Sequence, residues 1–174
     1  MIQKYTKENQ MNREVHIRQL EPRDRSRIEE MVVSSGKFNA VEIETALELA
    51  DDALKEGDES GYIFVVLDYG EAHPVLHGFA CYGLAPLTQG VYDLYWIVVD
   101  PVAQRKGLGR YLLEYVERDV TKRGGRMLLI ETSSQETYSA TIRFYERNDY
   151  QLAARIKNFY RLGDDKLVFL KELT

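Results

Sequence analysis

The residues most able to do chemistry lie in one short segment, Gln104-Arg105-Lys106-Gly107-Leu108-Gly109-Arg110. It follows an apolar run ending Val98-Val99-Asp100-Pro101 and leads into a helical pattern. Amide N–H groups at a helix start, with glycines allowing close backbone approach, form a cradle for a phosphate or pyrophosphate. Arg105, Lys106 and Arg110 would add charge-assisted bonds to the same anion. A P-loop is rejected because no Lys-Ser/Thr pair follows the glycines, and a dinucleotide fingerprint fits poorly because Leu112 stands where its third glycine belongs. Spacing alone leaves one more alternative, a loop shaped only by packing.

The apolar run before the loop, residues 91–100, alternates as a strand. Asp93, Tyr95, Ile97 and Val99 fall on one face, and Tyr92, Leu94, Trp96 and Val98 on the other. Tyrosine is abundant, with 12 residues, and Tyr82, Tyr92, Tyr95, Tyr138 and Tyr160 are candidates to border a cleft. Glu131 and the pair Asp164-Asp165 are candidates to hold an ammonium group, although Asp164 after Gly163 is equally a hairpin-turn acid. His16, His73 and His77 lack the spacing of a metal site, so no metal is expected. The single Cys81, between Ala80 and Tyr82 in an apolar strand, reads as a small core residue with no base placed to activate it.

These residues need a scaffold, and the periodicity supplies one. Val15 and Ile17 mark a first strand; Ile28, Met31 and Val32 form the buried stripe of a helix that starts at Glu21-Pro22-Arg23-Asp24 and ends at Gly36. A second helix is expected over residues 41–56, with Val41, Ala46, Leu47, Ala50, Ala53 and Leu54 on its apolar face. Residues 62–68 and 75–84 make a hairpin across Asp68-Tyr69-Gly70-Glu71. After the loop come a helix over residues 111–123 with Leu112, Leu113 and Val116 inward, a strand at 126–132, a helix at 138–147, and strands at 151–160 and 166–173 flanking Leu162-Gly163-Asp164-Asp165. Helices and strands mixed in this way indicate an α+β fold, and the strand–helix–strand piece over 91–132 implies a parallel pair.

With 174 residues, 44% of them hydrophobic and 29% charged, the chain reads as one domain over 13–174 behind a polar N-terminal extension, 1–12. A net charge of −5 disfavours nucleic acid and anionic lipid as general partners. No stretch approaches the roughly 18 apolar residues of a membrane span. One cysteine and no leader-like segment fit a cytoplasmic protein. A homodimer is compatible with all of this.

Gln104-x-x-Gly107-x-Gly109 after Val99-Asp100-Pro101, with Phe144-Tyr145-Glu146-Arg147 and Tyr150 downstream, resembles the GNAT superfamily of N-acetyltransferases. The resemblance covers about 160 residues, most specifically 97–150. It implies a mixed, mostly antiparallel sheet of about six or seven strands flanked by helices, with a parallel, splayed central strand pair. It implies acetyl-CoA as co-substrate, its pyrophosphate on Gln104, Arg105, Lys106, Gly107, Leu108, Gly109 and Arg110 and its pantetheine arm along the backbone of Ile97, Val98 and Val99. Tyr145 matches the family's general acid, also at the cofactor, and Asp93 stands where many members carry the general base, alone or through water. Tyr95 and Glu131 would then border the acceptor, a small primary amine such as a free amino acid. The alternative is a non-catalytic acyl-CoA sensor or interaction module on the same fold. Three positions depart from the pattern: Tyr138 in place of an asparagine, Thr141 in place of a smaller residue, and Asp149 in place of a glycine.

Overall fold

The computed structural model describes residues 15–70 and 74–173, with the exception of the Asp58 side chain. The expected extension at 1–12 and His73 lie outside the described residues. Among the described residues, seven strands form one sheet in the order β1-β2-β3-β4-β5-β7-β6. They are β1 (Val15–Gln19), β2 (Ile63–Tyr69), β3 (Val75–Leu84), β4 (Val91–Val99), β5 (Met127–Ser133), β6 (Gln151–Arg161) and β7 (Asp164–Glu172). The α-helices of the described residues are α1 (Arg25–Ser34), α2 (Ala40–Glu56), α3 (Leu108–Lys122) and α4 (Ser139–Arg147). The expected α+β architecture is therefore present, with β4 the middle strand of seven.

Pairing is antiparallel for β1–β2, β5–β7 and β6–β7 and parallel for β4–β5. The parallel pair joins Val91, Tyr92, Asp93 and Leu94 to Met127, Leu128, Leu129 and Ile130. β4 runs on to Val99 beyond its last paired position, so the parallel pair is short, as a splayed pair requires.

The described residues fall into two compact units, one within residues 15–81 together with 96–112, the other residues 82–95 together with 113–173. In the first, α1 and α2 bury Ile28, Met31, Val32, Ala46, Leu47 and Ala50 against Phe64, Val66, Phe79, Cys81 and Val98. α2 starts where the Asn39 side chain accepts the Glu42 amide and the Glu42 carboxylate accepts the Asn39 amide, a reciprocal cap. Val41 departs from expectation: it is 69% exposed, because it sits in the first turn, before the inward stripe begins at Ile43 and Ala46. The Arg18 guanidinium bridges Asp24 and Asp68 at 2.6–2.8 Å, tying the start of the helical segment to β2.

In the second unit the sheet has two unlike faces. Tyr92, Leu94, Leu128, Ile130, Leu167 and Phe169 are buried, on the face that α3 and α4 reach through the Lys171–Glu117 ion pair and the Tyr145–Phe169 ring contact. The Tyr150 hydroxyl donates to Glu117 at 3.0 Å and the Tyr82 hydroxyl to Asp119 at 2.7 Å, so both polar tips on that face are satisfied. The opposite face carries Asp93, Met127, Leu129, Glu131, Ser133, Lys166, Val168 and Leu170, all partly or fully exposed.

Candidate functional site

The anion loop belongs to the first unit. Asp100 ends β4, and its carboxylate accepts the Val102 amide at 3.1 Å while Pro101 opens a single 3-10 turn. The same carboxylate contacts Arg27 of α1, and His77 Nδ1 lies 3.4 Å away. The loop thus leaves the strand from an anchored corner. Arg105 has φ +63° and Gly107 φ +82°. Both residues lie in the left-handed region, so the chain turns sharply just before the helix starts. Gly107 adopts this backbone without strain, whereas Arg105 must be held there.

The helix after the loop begins at Leu108, three residues earlier than the apolar periodicity indicated. Its first intrahelical bond is made by the Tyr111 amide to the Gly107 carbonyl at 3.0 Å. The amides of Leu108 and Gly109 therefore sit in the first turn, where the helix offers them no acceptor of its own and its dipole is positive. Leu108 is 1% exposed, so only its backbone can serve a ligand. Gln104, Arg105, Lys106 and Gly107 are exposed. The Gln104 side-chain amide donates to the Val99 carbonyl at 3.3 Å, bracing the strand end, and the Lys106 ammonium stands 4.8 Å from the Tyr69 ring centroid. Ile97 and Val99 are half-buried and Val98 is buried, as the alternation required.

The second unit holds Asp93, Glu131, Tyr95 and Tyr145. Asp93 and Glu131 share the open face, because Asp93 pairs with Leu129 and Glu131 lies two residues further along β5. Burial, and then the Glu131 charge, push the Asp93 carboxyl above its ordinary range. Tyr95 is 40% exposed on the same face of β4. Glu131 is ion-paired at 2.7 Å with Lys166, a residue the motif reading passed over. No local signal could have found it, since the contact depends on the β5–β7 register.

Tyr145 is 4% exposed, on α4, with Phe144, Tyr150 and Phe169 around it at ring-centroid distances of 5.4–6.0 Å. Burial pushes its hydroxyl well above the usual phenol range, so it stays protonated. The acid pair Asp164-Asp165 departs from expectation. Both residues belong to β7 and are buried, and the turn is Leu162-Gly163 alone. Asp164 accepts from Ser133 and Gln135, tying β7 to the end of β5, and Asp165 accepts from Arg155 and the Asn158 amide within the β6–β7 hairpin, so neither offers an ammonium site. Cys81 is fully buried, and burial pushes its thiol up to about 12. It is a core residue and not a nucleophile at neutral pH. Among the described residues no cluster of His, Cys, Asp and Glu could hold a metal ion, and no helix is long and apolar enough to cross a membrane.

A mixed sheet with one parallel pair, and an amide-lined loop opening the helix between its two strands, is the build of an acyl-CoA N-acyltransferase fold. Residues 59–152, more than half of the sequence, match the family model for the acetyltransferase (GNAT) domain, and the chain belongs to that family.

Over 83 residues it is 37% identical to the ribosomal protein bS18-alanine N-acetyltransferase of Escherichia coli K12, a match covering 46% of this chain and 55% of that protein. Over 69 residues it is 28% identical to the S-(2-succino)cysteine N-acetyltransferase of Bacillus subtilis, covering 40% and 42% respectively. The chain thus spans about half the length of the curated relatives it matches. Among solved structures, a GNAT-family protein from Desulfovibrio desulfuricans superposes with a TM-score of 0.87 at 43% identity, over 92% of this chain and 99% of that one. The Escherichia coli ribosomal-protein-S18-alanine N-acetyltransferase gives 0.69 at 23% identity over 92% and 94%, a likeness of fold.

Proposed function

We propose that this protein is an acetyl-CoA-dependent N-acetyltransferase that acetylates a primary amine by direct attack in a ternary complex. The observation that carries the reading is the loop, whose left-handed Arg105 and Gly107 stand directly before the first turn of α3. Its amides, with Arg105, Lys106 and Arg110, suit the pyrophosphate of acetyl-CoA, and the backbone of Ile97, Val98 and Val99 suits the pantetheine arm. Acetyl-CoA supplies the activated thioester.

The chain's own residues would manage the protons. An ammonium must lose a proton before its nitrogen can attack, and Asp93 takes it, directly or through one water. A carboxylate with raised proton affinity is the better base near neutral pH. As the C–N bond forms and the C–S bond breaks, the departing thiolate needs a proton, which the Tyr145 hydroxyl donates without having been ionised beforehand. The acceptor is an amino-acid-type amine. Both curated relatives are named for acetylating an amino-acid nitrogen, one in a ribosomal protein and one in a small molecule. We assign the small-molecule kind to this chain.

One observation favours a second reading. Tyr145 lies inside an aromatic cluster at 4% exposure, the setting of a packing residue, which suits an acyl-CoA sensor that binds without turnover. Free-thiol release from acetyl-CoA, followed across amino acids, polyamines and peptides, separates the two. Release with any amine supports the transferase. Tight CoA binding with a silent panel replaces it with the sensor.

A further inference from the structure

The open face of the second unit carries a cation, Lys166, as well as the acids Asp93, Glu131 and, at its far end beside Met127, Glu172. Lys166 pairs with Ser133 across β5–β7 and with Ile156 across β7–β6, which places it on the same face as Asp93 and Glu131. Its side chain is only 14% exposed. The ammonium lies 2.7 Å from the Glu131 carboxylate and 3.9 Å from the Phe159 ring centroid. A lysine confined in this way has lost most of its rotamer freedom before any ligand arrives, and three N–H donors serve one carboxylate that is itself 53% exposed.

We propose that Lys166 is a specificity-determining residue that binds the carboxylate of the acceptor, so that the acceptor is a zwitterion: a free amino acid, or an amine with a carboxylate a few atoms away. This rests on the acetyltransferase reading above and narrows it. The charges order themselves as the ligand's do. Asp93 and Glu131 favour an ammonium, and Lys166, beyond Glu131 on the same face, favours a carboxylate. A polypeptide N-terminus brings only the ammonium, with a neutral amide where the carboxylate would be. It would leave Lys166 paired with Glu131 and gain nothing from it. Phe159, on the exposed edge strand, offers its ring face to the ammonium. Glu131 then has two tasks: it attracts the substrate's ammonium, and it keeps Lys166 oriented until the substrate carboxylate shares its donors.

The test compares kcat/KM for the twenty free amino acids, their carboxamides and an alanine-initiated peptide, with acetyl-CoA as donor, in the wild type, Lys166→Met and Lys166→Arg. The wild type should prefer acids over their amides by about tenfold or more, the scale of one charge-assisted bond. Lys166→Met should abolish that preference by raising KM for the acids while leaving the amides alone, and Lys166→Arg should retain part of it. Melting temperatures monitor folding, and Lys166→Arg remains informative if the methionine variant is unstable. Amides or the peptide acetylated as well as the acids, or equal losses on acids and amides, would overturn the inference and leave the transferase reading standing. No thiol release with any amine, despite acetyl-CoA binding, would overturn both.

Discussion

Asp93 on β4 and Glu131 on β5 point from neighbouring parallel strands onto one open face of the sheet, where Asp93 is partly buried and faces the Glu131 charge. Burial first, and then the Glu131 charge, hold the Asp93 carboxyl above its ordinary range. In activity, the acid limb of the kcat/KM profile should report Asp93, and Glu131→Gln should move that limb to lower pH by removing the repulsion. A limb that stays in place would assign the base elsewhere.

The same shift has a consequence for stability. A group whose folded pKa exceeds its unfolded one contributes stability that is present below the unfolded value, about 4 for a carboxyl, and is lost as pH rises through the folded value. Asp93 is therefore a liability at neutral pH. Asp93→Asn should melt higher than the wild type at pH 7, with an advantage that shrinks toward pH 4, while kcat falls and CoA affinity holds. Equal melting temperatures across that range would contradict the raised proton affinity.

Gly107→Glu should abolish CoA binding while the protein stays folded. The residue has φ +82°, so any side chain is strained there, and a carboxylate would stand among the amides proposed for phosphate oxygens. Calorimetric titration with CoA is the measurement. Normal affinity would make the loop a matter of packing alone.

Tyr145→Phe removes one hydroxyl and keeps the ring among Phe144, Tyr150 and Phe169. If the hydroxyl protonates the leaving thiolate, kcat should fall about ten- to a thousandfold, with water as a partial substitute and CoA affinity little changed. A lowered melting temperature with kcat within about twofold would make Tyr145 a core aromatic and nothing more.

Asp149 follows the end of α4 with φ +67°, which explains why glycine is the family's choice at this point. Left-handed backbone costs a non-glycine residue roughly 1–2 kcal/mol, part of which glycine forfeits through its freer unfolded chain. Asp149→Gly should therefore stabilise by about 0.5–1 kcal/mol, or roughly 1–4 °C in Tm. A thermal melt showing loss of stability would mean that the aspartate side chain makes a compensating interaction.

The amino-acid sequence by itself determined whatever depends on neighbouring residues. The strand alternation that separates Asp93 and Tyr95 from Tyr92 and Leu94, the glycines of the loop, the proline that ends β4 and the helical stripe of Ile28, Met31 and Val32 were all legible because backbone geometry and side-chain period are short-range properties. Helix starts were less so. α3 begins at Leu108 and α2 leaves Val41 in solvent, since a first turn is set by capping and chain direction and not by the apolar stripe alone. Only tertiary structure decided that Asp164 and Asp165 are consumed by Ser133, Gln135, Arg155 and Asn158, and that Lys166 meets Glu131. Several of these partners lie about 30 residues away in the chain, brought together by the β5–β7 register. A slip of one residue would turn every one of those side chains to the other face, so their contacts belong to the assembled sheet and to no local pattern.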